Sequence, residues 1–81
     1  MTRRGNAERT ARLLQARLEA LGHVHERAPI PARTLAAELA RTELATQRAV
    51  ELHLLTAPQA EEIWARSRAR HPLLIPPSQA E

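Results

Sequence analysis

The side chains with chemical potential in this chain are arginines and histidines. All 12 basic residues are Arg and all 9 acidic residues are Glu. Five arginines (Arg3, Arg4, Arg9, Arg12, Arg17) stand against two glutamates (Glu8, Glu19) in residues 1–21. Residues 22–57 balance at four against four and residues 58–81 at three against three, so the net +3 lies in the N-terminal quarter. Clustered cations are the expected footprint of a phosphate-binding surface, because attraction to a polyanion needs no further geometry. A solvated helix face is the competing reading. His23-Val24-His25-Glu26 offers two imidazoles whose side chains share a side only in an extended segment, and two ligands do not make a metal site. Nothing fixes the distance of His53 or His71 from them. A loop or surface role is expected for these histidines, with no metal and no cofactor.

Catalysis has little to stand on. Cys, Asp and Tyr are absent, and Gly5 and Gly22 are the only glycines, so no phosphate-cradling loop exists. Ser67 and Ser78 lack a base and an orienting partner nearby in sequence. Glu61 and Glu62 are adjacent and diverge on a helix. The expectation is a protein that is not an enzyme and takes no small-molecule substrate.

Ala, Leu, Arg and Glu dominate, and these are strong helix formers. The sequence therefore predicts one small all-α domain over residues 1–81, with the thin stability margin of so short a chain. No apolar run approaches the roughly 20 residues that span a bilayer, and Arg3-Arg4 precede no signal-peptide core. No membrane association and a cytoplasmic location are expected.

Four helices follow from the periodicity. Ala7, Ala11, Leu14, Leu18 and Leu21 make one stripe of a helix over about 7–21, with Asn6 as N-cap and Gly22 as the terminating residue. Residues 1–5 form a flexible basic arm. Residues 22–31 form a connector in which Pro29 and Pro31 hold Ala28 and Ile30 extended and Ile30 plugs the core. No Gly or Pro occurs between Ala32 and Thr56. Yet Leu35, Ala36 and Leu39 point away from the arc holding Leu44, Ala45, Ala49, Leu52 and Leu55. A break near Ala40–Glu43, with Thr42 as N-cap, resolves that conflict into helices over 32–40 and 43–55. Thr56-x-x-Gln59 is a capping box that opens a helix over 58–70, with Ala60, Ile63, Trp64 and Ser67 inward. Trp64, the single aromatic, anchors that helix, since a stacking surface for single strands needs several rings. Residues 72–81 form a Pro-rich apolar tail.

The stretch Pro29-Ile30-Pro31-Ala32-Arg33-Thr34-Leu35-Ala36-Ala37-Glu38-Leu39 resembles the entry to a helix-turn-helix of the tri-helical and winged-helix DNA-binding domains, over roughly residues 13–55. The shared features are the apolar plug and Leu-Ala-x-x-Leu, with Ala36 as the small residue at the crossing. Ala40 stands where such motifs carry Gly, Arg41 and Thr46 stand at apolar positions, and no strands of a wing follow. The resemblance implies a compact four-helix domain whose second and third helices form a wingless helix-turn-helix pair. Thr46, Gln47 and Arg48 would then meet base edges, Gln47 on adenine and Arg48 on guanine, and Arg3, Arg4, Arg9, Arg12 and Arg41 would contact phosphates. Glu43 and Glu51 offset the charge of that recognition helix. The function implied is a small, dimeric, DNA-binding transcriptional regulator acting on duplex DNA.

The alternative is a helical adaptor or inhibitor that docks on another protein through the Arg-rich first helix and the apolar tail, with no nucleic-acid contact. Val50 and Leu54 lie off the main stripe, and Leu73, Leu74 and Ile75 extend past the last helix. Left exposed, they would mark a homodimer or hetero-partner face, unless the tail folds back over the helices.

Overall fold

A computed structural model describes residues 3–72, 74 and 75, with the helical backbone alone for residues 3–5. These residues form three helices and no strand: α1 (Arg3–Arg27), α2 (Ala32–Glu51) and α3 (Ala57–Arg70). The all-α expectation holds, and the expected count of four is corrected to three.

The first helix is longer than the spacing predicts. It passes through Gly22 and ends only at Arg27, so most of the expected connector is helical. Gly22 is buried inside the helix because a neighbour needs the space: a Cβ there would lie 2.4 Å from Cγ of His71. The chain leaves the helix at Ala28, whose N–H still donates to Val24 O (3.0 Å) and whose successor Pro29 disfavours helical geometry before it. The turn is then held by His25, whose Nδ1 accepts from the Ile30 N–H (2.9 Å). Ile30 is half-buried and does not plug the core.

The second helix is uninterrupted, and the expected break near Ala40–Glu43 does not occur. Leu35, Leu39, Thr42, Thr46 and Ala49 follow 4-3-4-3 spacing and form one inward stripe, so the phase conflict disappears once threonine is allowed inside. Thr42 Oγ1 donates to Glu38 O (2.9 Å) and Thr46 Oγ1 to Thr42 O (2.8 Å). With each hydroxyl satisfied one turn back, burial carries little polar penalty and the methyl group packs. Thr42 is thus a core residue and not an N-cap. Leu44 and Leu52, which demanded the break, remain 62% and 64% exposed.

A left-handed residue ends α2. His53 has φ 60°, its N–H donates to Val50 O (3.0 Å), and the Leu54 N–H donates to Ala49 O (2.8 Å). This bonding is the Schellman pattern, normally built on Gly. The chain reverses, Leu55 is buried, and α3 opens two residues later.

At α3 sequence and structure agree. Thr56 Oγ1 accepts from the Gln59 N–H (3.2 Å), and Gln59 Oε1 accepts from the Thr56 N–H (2.9 Å). Ala60, Ile63, Trp64 and Ser67 are buried as the stripe predicts. The core joins Leu14 and Leu18 of α1, Leu39 and Ala49 of α2, Leu55, Ile63 and Trp64, and the tail residue Leu74. Leu74 is fully buried, and its N–H donates to His71 O (2.9 Å). Among the described residues no helix is long and apolar enough to cross a membrane.

Candidate interaction face on the first helix

At 100° per residue the side chains of α1 sort into three strips. One carries Ala11, Leu14 and Leu18 into the core, with Leu21 packed at its edge. A second, about 20° wide by helix geometry, holds all three glutamates of α1: Glu8, Glu19 and Glu26. Two of these reach the third helix and its C-cap. Glu19 accepts from Arg70 Nη1, and Glu26 Oε1 accepts from His71 Nδ1 at 2.7 Å. Glu8 binds Arg12 on its own helix at 3.8 Å. Gln15 Nε2 adds a bond to Ser67 Oγ (3.3 Å). The His71 ring is buried, seated over Gly22 and edge-on to His23 at 4.9 Å.

The third strip faces solvent. Leu13, Ala20 and Val24 fall within about 40° of one another, with Ala16 beside them. Leu13 is 67% and Val24 55% exposed, and both alanines are exposed. Interleaved with this seam are Arg9, Arg17 and Arg27, all exposed. Arg17 is tied to α2 through Glu38 at 3.8 Å, and the same carboxylate meets Arg41 at 3.5 Å. Arg9 and Arg27 have no ion-pair partner among the described residues. The seam opens at its N-terminal end into a hollow lined by Glu8, Arg9, Arg12, Leu13 and Ala16. At the other end it runs into the α1–α2 groove, where Ala20 and Val24 meet Glu38 and Thr42.

The residues proposed from sequence scatter over the fold. Thr46, expected at a base edge, is buried with its hydroxyl bonded to the helix backbone, so it presents nothing to a ligand. Gln47 and Arg48 are exposed on the outer side of α2. Arg12 and Arg41, expected on phosphates, are exposed and each engaged with a glutamate, while Arg9 belongs to the seam. The side chains of Arg3 and Arg4 lie outside the described residues, as does Leu73. Val50 and Leu54, expected on a partner face, pack half-buried against the core, and Leu74 is fully inside it. Ile75 remains 46% exposed.

His23 and His25 diverge, one toward the His71 ring and the other toward the Ile30 amide. No group of three or more His, Cys, Asp or Glu among the described residues could hold a metal ion. The Leu13–Val24 seam was missed because the stronger Leu14–Leu18–Leu21 stripe accounts for the helix by itself. Its signal was present as a second, weaker 3-4-4 spacing of Leu13, Ala16, Ala20 and Val24. Comparison of the chain with protein-family models, curated proteins and solved structures finds no match to any of them.

Proposed function

We propose that the protein is a helical docking module that binds another protein through the outer face of α1. The observation that carries this reading is the pairing of Leu13 and Val24, exposed on one alanine-lined face about 16 Å apart along the helix axis. Large apolar groups aligned on one face mark an interaction surface more often than scattered ones do. Alanines between them let a second helix approach to about 8–10 Å between axes. Of the described residues of the apolar tail, offered from sequence as part of the docking surface, Ile75 is exposed and Leu74 is in the core.

The rival reading, a DNA-binding regulator with a helix-turn-helix, draws less support. Base reading by that motif needs two short helices crossing at a turn, and residues 32–51 form one rod. The exposed arginines remain compatible with phosphate contact.

Two titrations of the full chain separate the readings. One uses random duplex DNA at three salt concentrations. The other uses a synthetic amphipathic helix with a leucine seam and neutral Gln flanks. Docking through α1 predicts that the peptide binds, that Leu13→Ala weakens it severalfold, and that DNA binding is weak and indifferent to Leu13→Ala. A DNA affinity falling steeply with salt, with no peptide binding, would return the protein to the nucleic-acid class.

A further inference from the structure

The charge pattern of the α1 face selects its occupant. Resting on the docking reading above, we infer that the partner is an acidic amphipathic helix of about 18 residues. It would lie along the Leu13–Val24 seam with carboxylates opposite Arg9 and Arg27.

A second copy of this chain fits poorly. Antiparallel self-pairing that sets Leu13 against the copy's Val24 also brings Arg9 against the copy's Arg27, and does so twice by symmetry. Parallel pairing sets each arginine against itself. Either arrangement gathers four guanidinium groups, and the carboxylates that border the face are already engaged, Glu8 with Arg12 and Glu38 with Arg17 and Arg41. All three glutamates of α1 sit on another strip, where Arg70, His71 and Arg12 engage them. Like charges brought together at an interface oppose association, while complementary ones favour it and fix register.

A phosphate backbone or an anionic membrane satisfies the arginines and leaves the seam unexplained. Leu13 and Val24 add nothing to phosphate contact. Two large side chains separated by alanines form too narrow an apolar strip to insert into a lipid interface, where a broad hydrophobic face is needed. A helix uses both features. Its own large residues sit over Ala16 and Ala20, between the ridges of Leu13 and Val24, and its ends meet the cations. Arg9 and Arg27 stand eighteen residues apart, about 27 Å along the axis, which sets the spacing required of the partner's carboxylates.

The test adds charge to the seam peptide. Three 20-residue helical peptides share one leucine seam and carry Glu, Gln or Lys at the flanks. They are titrated against the full chain by fluorescence anisotropy, alongside vesicles of anionic phospholipid and random duplex DNA. The Glu peptide should bind about tenfold tighter than the Lys peptide, with a preference that shrinks as salt rises. Combining Arg9→Glu with Arg27→Glu should invert the preference, and Leu13→Ala should weaken all three peptides alike. These positions are exposed, and circular dichroism of each variant confirms the fold. Equal affinity for the three peptides, still dependent on Leu13, overturns the acidic partner and leaves protein docking standing. Tighter binding to vesicles or duplex DNA than to the Glu peptide overturns the acidic partner, and with no Leu13-dependent peptide binding it overturns docking as well.

Discussion

The two long edges of α1 use similar residues to opposite ends. Toward α3, Glu19, Glu26 and Gln15 each meet a partner, Gly22 makes room for the His71 ring, and no charge is left over. Toward solvent, Arg9 and Arg27 have no ion-pair partner among the described residues, and Leu13 and Val24 stay more than half exposed. One helix therefore carries a packed face and a bare one. Composition cannot distinguish them, because it does not show that the glutamates gather along one edge and Leu13, Ala20 and Val24 along the other. What separates them is which strip the third helix covers.

The sharpest way to break that contrast is to delete a leucine from each side. Leu18→Ala, at a fully buried position, should cost about 3 kcal/mol in denaturant unfolding, as buried leucine deletions do. Leu13→Ala should stay within about 0.5 kcal/mol. Equal losses would mean that Leu13 is covered in solution. A smaller effect is expected at the notch. Gly22→Ala gains up to about 1 kcal/mol of helix propensity but drives a methyl into the His71 ring, an overpacking cost of about 1–3 kcal/mol. The single variant should lose about 1 kcal/mol or more. On a His71→Ala background the same substitution should become neutral or stabilising. A destabilising Gly22→Ala on that background would show that the ring is not what requires glycine.

The buried threonines sharpen the contrast on α2. Thr42→Ser removes one fully buried methyl group and should cost about 0.8 kcal/mol. Thr34→Ser, at an exposed position on the same helix, should cost almost nothing in the same unfolding assay. The smallest effect is expected at the end of α2. His53→Gly relieves a left-handed residue, which costs an L side chain about 1–2 kcal/mol. It also returns freedom to the unfolded chain. A net gain of about 0.5 kcal/mol should appear as a rise of a few degrees in the melting temperature, and a loss would remove the strain assigned to φ 60°.

Legibility along the chain tracked how local each signal is. The α3 start was readable because a capping box is closed within four residues, and its inward stripe followed directly. The α2 rod was not legible because threonine does not count toward an apolar stripe, whereas Thr42 and Thr46, with hydroxyls bonded one turn back, behave as core groups. The end of α1 was misplaced for a related reason. Gly22 looks like a terminator in one dimension, and its use is to admit a ring from residue 71. The outer face of α1 was half legible: the excess of N-terminal arginine was plain, but its separation from the glutamates depends on helix register and on where α3 lies.

By itself the sequence determined an all-helical chain with its positive charge at the N-terminus, a capped third helix and a core centred on Leu14, Leu18, Ile63 and Trp64. Those features rest on backbone propensity and short-range periodicity, which act within a turn or two. The tertiary structure alone decided that residues 32–51 are one rod, that Leu74 closes the core, and that Leu13 and Val24 are left outside. Three helices cannot cover every apolar strip of one another, and which strip stays bare is set by packing between residues distant in the chain.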